Sequence, residues 1–243
     1  LIHTRLSILD LSSRGNQPMI DRASGTVLVY NGEIYNFREL QKKLDPAIQE
    51  TNDSRVLLKL FIKYGNDCFQ MLRGMFAIGI WEENKKKLTI ARDRFGIKPL
   101  YYAHIKDVFY FGSETKVINS LGLEKTVDEK SIKNYLVNGI LENNDKTLFK
   151  YIKTLEPGTI LTLNKSKLQK NTYWKIKNYA YQNIKKNEIY EALKEKLSES
   201  VKLHLLSDVN VGLTLSSGID SQILLKYMLK FKPDITSYTY GYD

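Results

Sequence analysis

Residues 30–36 combine side chains and backbone groups that could bind an anion or an amino acid. They read Tyr-Asn-Gly-Glu-Ile-Tyr-Asn and complete a β-rich run. Because both Asn31 and Gly32 tolerate a positive φ, this pattern predicts a sharp turn directly after a strand. Asn36, with Glu39 three residues later, predicts a helix N-cap and a capping box. Backbone N–H groups left free where a strand, a turn and a helix meet can bind an anion, although an ordinary tight turn shows the same pattern.

A second candidate is a loop of small residues between a predicted apolar strand at 211–215 and a predicted helix at 222–229. Such a loop leaves backbone N–H groups free, and the helix dipole favours negative charge beside them, so it can bind phosphate. A carboxylate in an anion site is explained when Mg²⁺ bridges it to the phosphates. A Ser/Gly-rich connection that only caps the helix is the alternative. The loop consists of Ser216, Ser217, Gly218, Ile219, Asp220 and Ser221.

The elements that must position the first candidate are hairpins and a few helices. The helix predicted at 54–64 carries its apolar residues on one face, and Asp53 precedes it as a possible cap. The run at 74–81 is almost continuously apolar, as expected of a central strand buried on both faces. Together these elements predict a layered α+β sandwich. Further strands are predicted at 5–9, 26–30, 87–92, 100–103, 108–112 and 159–163.

The pattern changes near residue 188. Apolar residues then recur every four positions through 205, which predicts an amphipathic helix. The strand, loop, helix and second strand that follow form one βαβ unit of a parallel sheet. The predicted organisation is a first domain at 1–168, a connector at 169–187 and the start of a second domain at 188–243.

Composition narrows the functional classes. The chain has 243 residues, 42% of them hydrophobic, and no apolar run approaches the roughly 20 residues that span a bilayer. The single cysteine, Cys68, fits a reducing, cytoplasmic compartment, and the three histidines lack the spacing of a zinc site. The formal net charge of +10 could indicate a nucleic-acid partner, but the lysines are spread thinly, which favours a solvated basic surface. We therefore expect neither a nucleic-acid nor a membrane partner.

The loop at 216–221, preceded by Ser-Asp-Val-Asn-Val-Gly at 207–212, resembles the pyrophosphate-binding loop of ATP pyrophosphatases, and most of all that of glutamine-dependent asparagine synthetases. The N-terminal part resembles the glutaminase domain of class II amidotransferases independently. This second resemblance rests on several segments in order: Arg-Leu-Ser-Ile-Leu-Asp at 5–10, Gln-Pro at 17–18, residues 30–36, Gly-Met-Phe-Ala at 74–77, residues 91–101 and Ser-Glu at 113–114.

The resemblance implies an N-terminal-nucleophile hydrolase with an αββα sandwich of antiparallel sheets, followed by the beginning of an α/β parallel-sheet ATP pyrophosphatase domain. In that family an N-terminal cysteine attacks the glutamine amide and ammonia leaves. Asn31 and the Gly32 N–H would form the oxyanion hole, where each donor is worth about 3 kcal/mol. Arg5 would bind the α-carboxylate of glutamine, while Glu33 and Asp53 would bind its α-ammonium. Leu6, Ser7, Ile8 and Leu9 would complete the glutamine pocket.

In the second domain the resemblance implies that ATP binds and that Mg²⁺ neutralises its phosphates, with Asp220 as a possible metal ligand. Aspartate would be adenylated and then amidated by ammonia. The family usually has Gly where this chain has Ser217, and if that position needs a positive φ, serine would cost about 1 kcal/mol or more. The ATP contacts would come from Leu215, Ser216, Ser217, Gly218, Asp220, Ser221 and Tyr240.

Two alternatives stay open on the sequence. The acceptor could be another carboxylate, such as a sugar acid, because the acceptor-selecting residues are expected beyond Asp243. The chain could also be a catalytically inactive binding or regulatory module, because the nucleophile that the resemblance implies is not in it. Cys68 lies mid-chain on an apolar helix face and is predicted to be a core residue rather than a substitute. We expect the sequence to be truncated at both ends and inactive as a glutaminase, and a homodimer is possible.

Overall fold

The computed structural model describes residues 1–47, 50, 52–122, 125–141, 145–176 and 185–241. The chain divides into two compact units. The first consists of Leu1–Arg5 and Asn16–Ile176, and the second of Leu6–Gly15 and Lys177–Asp243. The segment Leu6–Gly15 thus leaves the first unit after Arg5 and returns to it at Asn16.

A six-stranded antiparallel sheet forms one layer of the first unit. Its strands are β1 (Met19–Asp21), β2 (Thr26–Ile34), β3 (Gly74–Glu82), β4 (Lys87–Arg92), β8 (Thr159–Asn164) and β9 (Lys167–Thr172), and they lie in the order β1-β2-β3-β4-β8-β9. At the centre, β3 is buried along most of its length because its residues are apolar on both faces. β2 pairs with β3 over nine residues, from Thr26 opposite Glu82 to Ile34 opposite Gly74.

A second, three-stranded sheet packs against the first and consists of β6 (Val108–Gly112), β5 (Tyr101–Ile105) and β7 (Lys153–Thr154). The two sheets approach so closely that a Cβ added at Gly79 of β3 would lie 2.6 Å from the Phe111 ring of β6. Helix α2 packs on β2 on the other side of the first sheet, and α4 packs on β5 and β6. The unit is therefore the predicted αββα sandwich. Its helices are α1 (Phe37–Leu44), α2 (Asp53–Tyr64), α3 (Cys68–Met71), α4 (Thr115–Asn119) and α5 (Glu129–Asn138).

Several local predictions are wrong. Residues 5–9 do not form a strand, and Ile8 O accepts from the backbone of Asp208 instead of from a neighbouring strand. Asn31 and Gly32 do not form a turn, since the long pairing of β2 with β3 continues through both of them. The predicted capping box is also absent. Asn36 is the N-cap of α1, but its side chain accepts from Arg73 N at 2.9 Å and donates to Met71 O at 3.1 Å, tying down another loop.

The second unit contains a long helix, α6 (Lys186–His204), and one βαβ element. The element consists of β10 (Gly212–Thr214), α7 (Ile219–Met228) and β11 (Thr236–Tyr238), and the two strands pair in parallel as predicted. Its buried cluster is formed by Val201, Leu205, Tyr227 and Met228. Ile189 and Leu193, at the start of the same predicted stripe on α6, remain about half exposed, so only the C-terminal half of that stripe is buried here.

The boundary between the domains differs in detail from the sequence-based one. Residues 169–172 of the predicted connector belong to β9, which pairs with β8 from Asn164 opposite Lys167 to Thr159 opposite Thr172. The sequence did not predict this strand, because all six of its residues are exposed and most are polar, so it lacks the apolar alternation of a half-buried strand. Residues 177–184 of the connector lie outside the described residues. No helix in the described part of the chain is both long and apolar enough to cross a membrane.

Candidate functional site

β1 pairs with β2 only as far as Leu28, and beyond that residue alternate residues of β2 direct their backbone groups away from β3. Phe76 of β3 donates its N–H to Asp93 Oδ2 at 3.2 Å, and its carbonyl accepts from Asp93 N at 2.9 Å, so its backbone faces β4. Gly32 lies opposite Phe76. Because opposite residues of an antiparallel pair exchange either both hydrogen bonds or neither, the Gly32 N–H is directed away from β3. It therefore faces the side on which β1 pairs with β2, past the last residue that β1 covers.

The neighbouring positions on this edge are held by side chains. At Tyr30, Gln17 accepts from the backbone N–H at 2.6 Å and donates to the carbonyl at 2.9 Å. At Ile34, the N–H donates to Asp53 Oδ2 at 3.0 Å. Gly32 thus lies between two fixed positions, which orients its N–H for an acceptor. A donor held in place before its acceptor arrives is what an oxyanion hole requires.

Gly32 is required for its geometry. Its φ is +149°, and an added Cβ would overlap Met75 O and lie 2.7 Å from Phe76 Cα. Gly74 meets the same strand in return, because an added Cβ there would overlap Glu33 O. The two glycines let β2 and β3 approach closely at this end of their pairing.

Asn31 supplies the second predicted donor. Its Nδ2 donates to Ser113 Oγ at 3.4 Å, between the two sheets. An amide NH₂ has two hydrogens, so one remains available when the other is bound by Ser113. The structure thus places the two oxyanion-hole candidates side by side on β2.

Two carboxylates lie next to these donors in the same unit. Asp53 is the first residue of α2 and is buried, while Glu33 of β2 is half-buried. The N-cap of α2 is Asn52, whose side chain accepts from Arg55 N at 3.1 Å, so the cap role considered for Asp53 is wrong. Asp53 is free for another task, and Oδ2 also accepts from Tyr30 OH at 3.0 Å.

The charge of Asp53 acts on Glu33. Burial raises the pKa of Glu33, the Asp53 charge raises it further, and the Lys98 charge opposes both. Burial also raises the pKa of Asp53, against hydrogen bonds from Ile34, Tyr30 and Ser54 that favour its ionised form. A pair of partly desolvated carboxylates gains most from a nearby cation, and an α-ammonium is such a cation.

Arg5 belongs to the same unit, and its charge acts on His3, which lies two residues before it. Burial lowers the pKa of His3, the Arg5 charge lowers it further, and a hydrogen bond to the Tyr30 backbone opposes both. This places His3 and Arg5 near the β2 edge. The sequence reasoning missed His3, although it lies two residues from Arg5.

The remaining predicted glutamine contacts fall elsewhere in the fold. Leu6, Ser7, Ile8 and Leu9 belong to the second unit. There Ile8 O accepts from Asp208 N at 3.0 Å, and Asp10 N donates to Asp208 Oδ2 at 2.8 Å. The structure thus does not gather these four residues with Asn31 in one compact unit, and their contact with glutamine stays a prediction.

The charged run after β4 organises a loop. Asp93 is fully buried and accepts from the backbone N–H groups of Phe95, Ile97 and Lys98. Arg92 donates to the carbonyls of Gly96, Lys98 and Leu155. These side chains satisfy backbone groups, so the charged run has a structural role in this loop.

Cys68 is a core residue. Its side chain is fully buried on α3, and burial, with a smaller effect of the Asp67 charge, raises the pKa of Cys68 to about 12. A thiol with that pKa is almost entirely protonated near neutral pH and is a poor nucleophile.

The predicted phosphate loop joins β10 to α7. The Ser216 and Ser221 hydroxyls lie 3.1 Å apart, Ser216 N donates to Ser221 Oγ at 3.2 Å, and Gly218 N donates to Ser216 Oγ at 3.2 Å. The strand on its other side is fixed by Leu215 N, which donates to Tyr238 O at 2.8 Å. The loop is thus closed on itself at the N-terminus of a ten-residue helix.

Ser217 does not adopt the conformation that would have penalised it. The residues with positive φ do not include Ser217 among those described, and Gly218 has a φ of −69°. The cost expected for serine at this position therefore does not arise. Asp220 is exposed in the first turn of α7, and Tyr240 is 83% exposed. Within the described ranges no three His, Cys, Asp or Glu side chains are placed to hold a metal ion.

Comparison with known proteins finds a family match for each of the two predicted domains. Residues 1–174 match the family model of the glutamine amidotransferase domain, and residues 192–243 match that of asparagine synthase. A putative glutamine-hydrolysing asparagine synthetase 2 of Methanocaldococcus jannaschii is 34% identical over 249 residues, covering 94% of this chain and 48% of the relative. Glutamine-hydrolysing asparagine synthetase 1 of Bacillus subtilis is 33% identical over 243 residues, covering 98% of this chain and 38% of the relative. The chain thus spans half or less of the length of these relatives.

A solved structure shows the fold. The glutamine phosphoribosylpyrophosphate amidotransferase of B. subtilis, complexed with ADP and GMP, superposes with a TM-score of 0.50 at 19% identity, covering 98% of this chain and 50% of that one. The predicted N-terminal-nucleophile hydrolase fold is confirmed. The chain therefore belongs to the glutamine amidotransferase family, and its residues 192–243 match the asparagine synthase family.

Proposed function

We propose that the full-length protein hydrolyses glutamine in its first unit and uses the ammonia, with ATP, to convert aspartate to asparagine. The observation that carries the glutaminase half is the Gly32 N–H on the β2 edge, held between the fixed positions Tyr30 and Ile34 with Asn31 beside it. The match of residues 192–243 to asparagine synthase supports the synthetase half.

The residues of the first unit divide the binding of glutamine between them. The Asn31 amide and the Gly32 N–H stabilise the negative oxygen that develops when the side-chain amide is attacked. Glu33 and Asp53 bind the α-ammonium, and Arg5 binds the α-carboxylate in charge-assisted hydrogen bonds. The attacking thiol belongs to the N-terminal cysteine that the family resemblance implies, because Cys68 is buried and protonated.

The loop after β10 fits a phosphate group. The loop lies at the N-terminal, positive end of α7, and Ser216, Ser217 and Ser221 add hydroxyls. Asp220 is the one loop carboxylate that could bind Mg²⁺, whose charge would offset that of the ATP phosphates. The hydroxyls of Ser216 and Ser221 bond within the loop, so these two residues shape it for its ligand.

Two other functions share these observations. A relative with the same two regions could amidate another carboxylate, such as a sugar acid, since both half-reactions need the same donors. A protein lacking the nucleophile would be a binding or regulatory module. Comparing the products formed from aspartate with those formed from a panel of other carboxylates distinguishes the first alternative from asparagine synthesis. Glutamate release from glutamine distinguishes an active enzyme from a binding or regulatory module.

The test uses the full-length natural protein with glutamine, aspartate, ATP and Mg²⁺. We expect glutamate and asparagine to form together. Asn31→Ala should lower kcat for glutamate release by about 100-fold, as loss of one oxyanion-hole donor does elsewhere. Asn171→Ala, on the exposed β9, is the matched control and should leave kcat unchanged. Full glutamate release by the Asn31 variant would refute the assigned hole.

The 243-residue chain by itself should bind glutamine without releasing ammonia. Its only cysteine is Cys68, which is buried. An ammonia assay on this chain, repeated after the natural N-terminal segment is restored, measures the difference. Ammonia release from the 243-residue chain that is lost on Arg5→Ala would contradict the assignment of the nucleophile.

A further inference from the structure

We propose that Tyr30 is a positioning residue for glutamine, whose hydroxyl holds Asp53 in place and ionised so that Asp53 can bind the α-ammonium. The inference rests on the proposed glutaminase site and goes beyond it, because it assigns the pH range of glutamine binding to a residue that does not touch glutamine.

The geometry begins with a buried pair. Tyr30 is 3% exposed and Asp53 is 6% exposed, and the phenolic O–H donates to Asp53 Oδ2 at 3.0 Å. The same oxygen accepts from Ile34 N at 3.0 Å. Both donors therefore converge on Oδ2, which fixes the carboxylate rotamer. Ser54 Oγ donates to the other carboxylate oxygen, Oδ1, at 3.4 Å.

Tyr30 is itself fixed by its backbone. Gln17 holds both its N–H and its carbonyl, and its neighbours on β2 pair with β3. The phenol thus reaches Asp53 from a rigid strand. One residue thereby joins the α-ammonium site, through its side chain, to the strand edge that carries Gly32.

The charges around Asp53 make this donor important. Glu33 on β2 is the nearby like charge, and Lys98, from the loop after β4, is the cation that acts on Glu33. Tyr30 and Tyr35 are neutral at physiological pH, because burial raises the pKa of both phenols. Burial already favours protonation of both carboxylates, and at Glu33 the Asp53 charge adds to this effect. Removing the Tyr30 hydroxyl removes a bond that favours the ionised form of Asp53, so the pKa of Asp53 must rise further.

The sign of the effect on binding follows. A cationic α-ammonium binds the ionised carboxylates, so affinity is full above their raised pKa values and is lost as the pH falls through them. Tyr30→Phe moves this loss to higher pH. At pH values below the pKa of Asp53 in both proteins, the dissociation constant for glutamine should be about tenfold higher in the variant, and at the high-pH end of the profile the variant should approach the wild type.

The experiment measures glutamine binding to the 243-residue chain by calorimetry from about pH 5 to about pH 8. Two ligands are compared, namely L-glutamine and 4-carbamoylbutanoate, which is glutamine without its α-amine. Tyr30→Phe should shift the pH profile for glutamine and leave that for 4-carbamoylbutanoate in place. Tyr173→Phe is the matched control, because it removes a phenol that donates to Arg92 O at 2.8 Å, outside the α-ammonium site.

A second measurement reads the carboxylate directly. Carbon-13 NMR titration of Asp53 should give a higher pKa in the Tyr30 variant than in the wild type, while thermal melting confirms that both are folded. If the wild type binds glutamine but Tyr30→Phe shifts neither the Asp53 titration nor the pH profile of glutamine binding, the inference is overturned and the proposed glutaminase stays intact. A wild-type chain that binds no glutamine would overturn both.

Discussion

The Asn31-Gly32 pair shows how one dipeptide can meet two different requirements. Its turn propensity comes from a tolerance of positive φ. In the structure, the same tolerance serves a strand, because Gly32 has a φ of +149° and lies against Met75 of β3. Glycine is needed there for close approach, and the result is an N–H directed to an open strand edge instead of a reversal of the chain.

Gly32→Ala should destabilise the first unit by about 2–4 kcal/mol, because the new methyl group overlaps the β3 backbone and the conformation is strained. Urea denaturation of the 243-residue chain measures the loss. Gly65→Ala is the matched control, since Gly65 also has a positive φ, +56°, but no atom within 4 Å of the added Cβ. A loss of unfolding free energy in Gly32→Ala equal to or smaller than that in Gly65→Ala would show that β3 can shift to accommodate the methyl group.

At the scale of elements, the segment Leu6–Gly15 is adjacent in sequence to the first unit but belongs to the second. It follows Arg5 directly, yet it folds with the second unit. Its anchor is a reciprocal pair of bonds, since Ile8 O accepts from Asp208 N and Asp10 N donates to Asp208 Oδ2. Asp208 precedes β10, so the anchor lies next to the strand that leads into the phosphate loop.

Asp208→Ala should loosen this segment without unfolding either unit. The Asp10 N–H would lose a charged acceptor, which is worth about 1 kcal/mol at a partly exposed site. Hydrogen exchange at the Asp10 amide should accelerate by about fivefold, measured by NMR or mass spectrometry. Asp234→Ala, at an exposed turn before β11, provides the comparison. Unchanged exchange at Asp10 would mean that the segment is held by other contacts.

At the scale of the whole molecule, the two units differ in how much core they carry. The first contains two packed sheets with a large apolar interior. In the described part of the second, the buried cluster comes from α6 and α7 with Leu205, and the parallel sheet has two strands. So small a core leaves apolar side chains of this unit exposed, as Ile189 and Leu193 of α6 show.

Residues 188–243 should therefore be unstable when separated from the rest of the chain. They would lose the segment Leu6–Gly15 as well as keeping exposed apolar positions. Limited proteolysis of the isolated piece, beside the 243-residue chain, gives the answer. Rapid cleavage of the isolated piece is the expected result. A resistant core within it would contradict the argument from burial.

The sequence by itself determined the family, the sandwich and the βαβ unit, because each depends on apolar periodicity or on motifs that are local in the chain. The apolar run of β3 and the parallel pairing of β10 with β11 are examples. The burial of Cys68 was equally predictable, since an apolar helix face packs against the core.

Only the tertiary structure decided the direction of the Gly32 N–H, the tie between Tyr30 and Asp53, and the placement of Leu6–Gly15 in the second unit. Each depends on a partner distant in sequence. Phe76 and Asp93 turn the Gly32 edge outward, and Asp208 holds the segment that follows Arg5. Local propensity gives the conformations open to a residue, and pairing with distant strands and loops selects one of them.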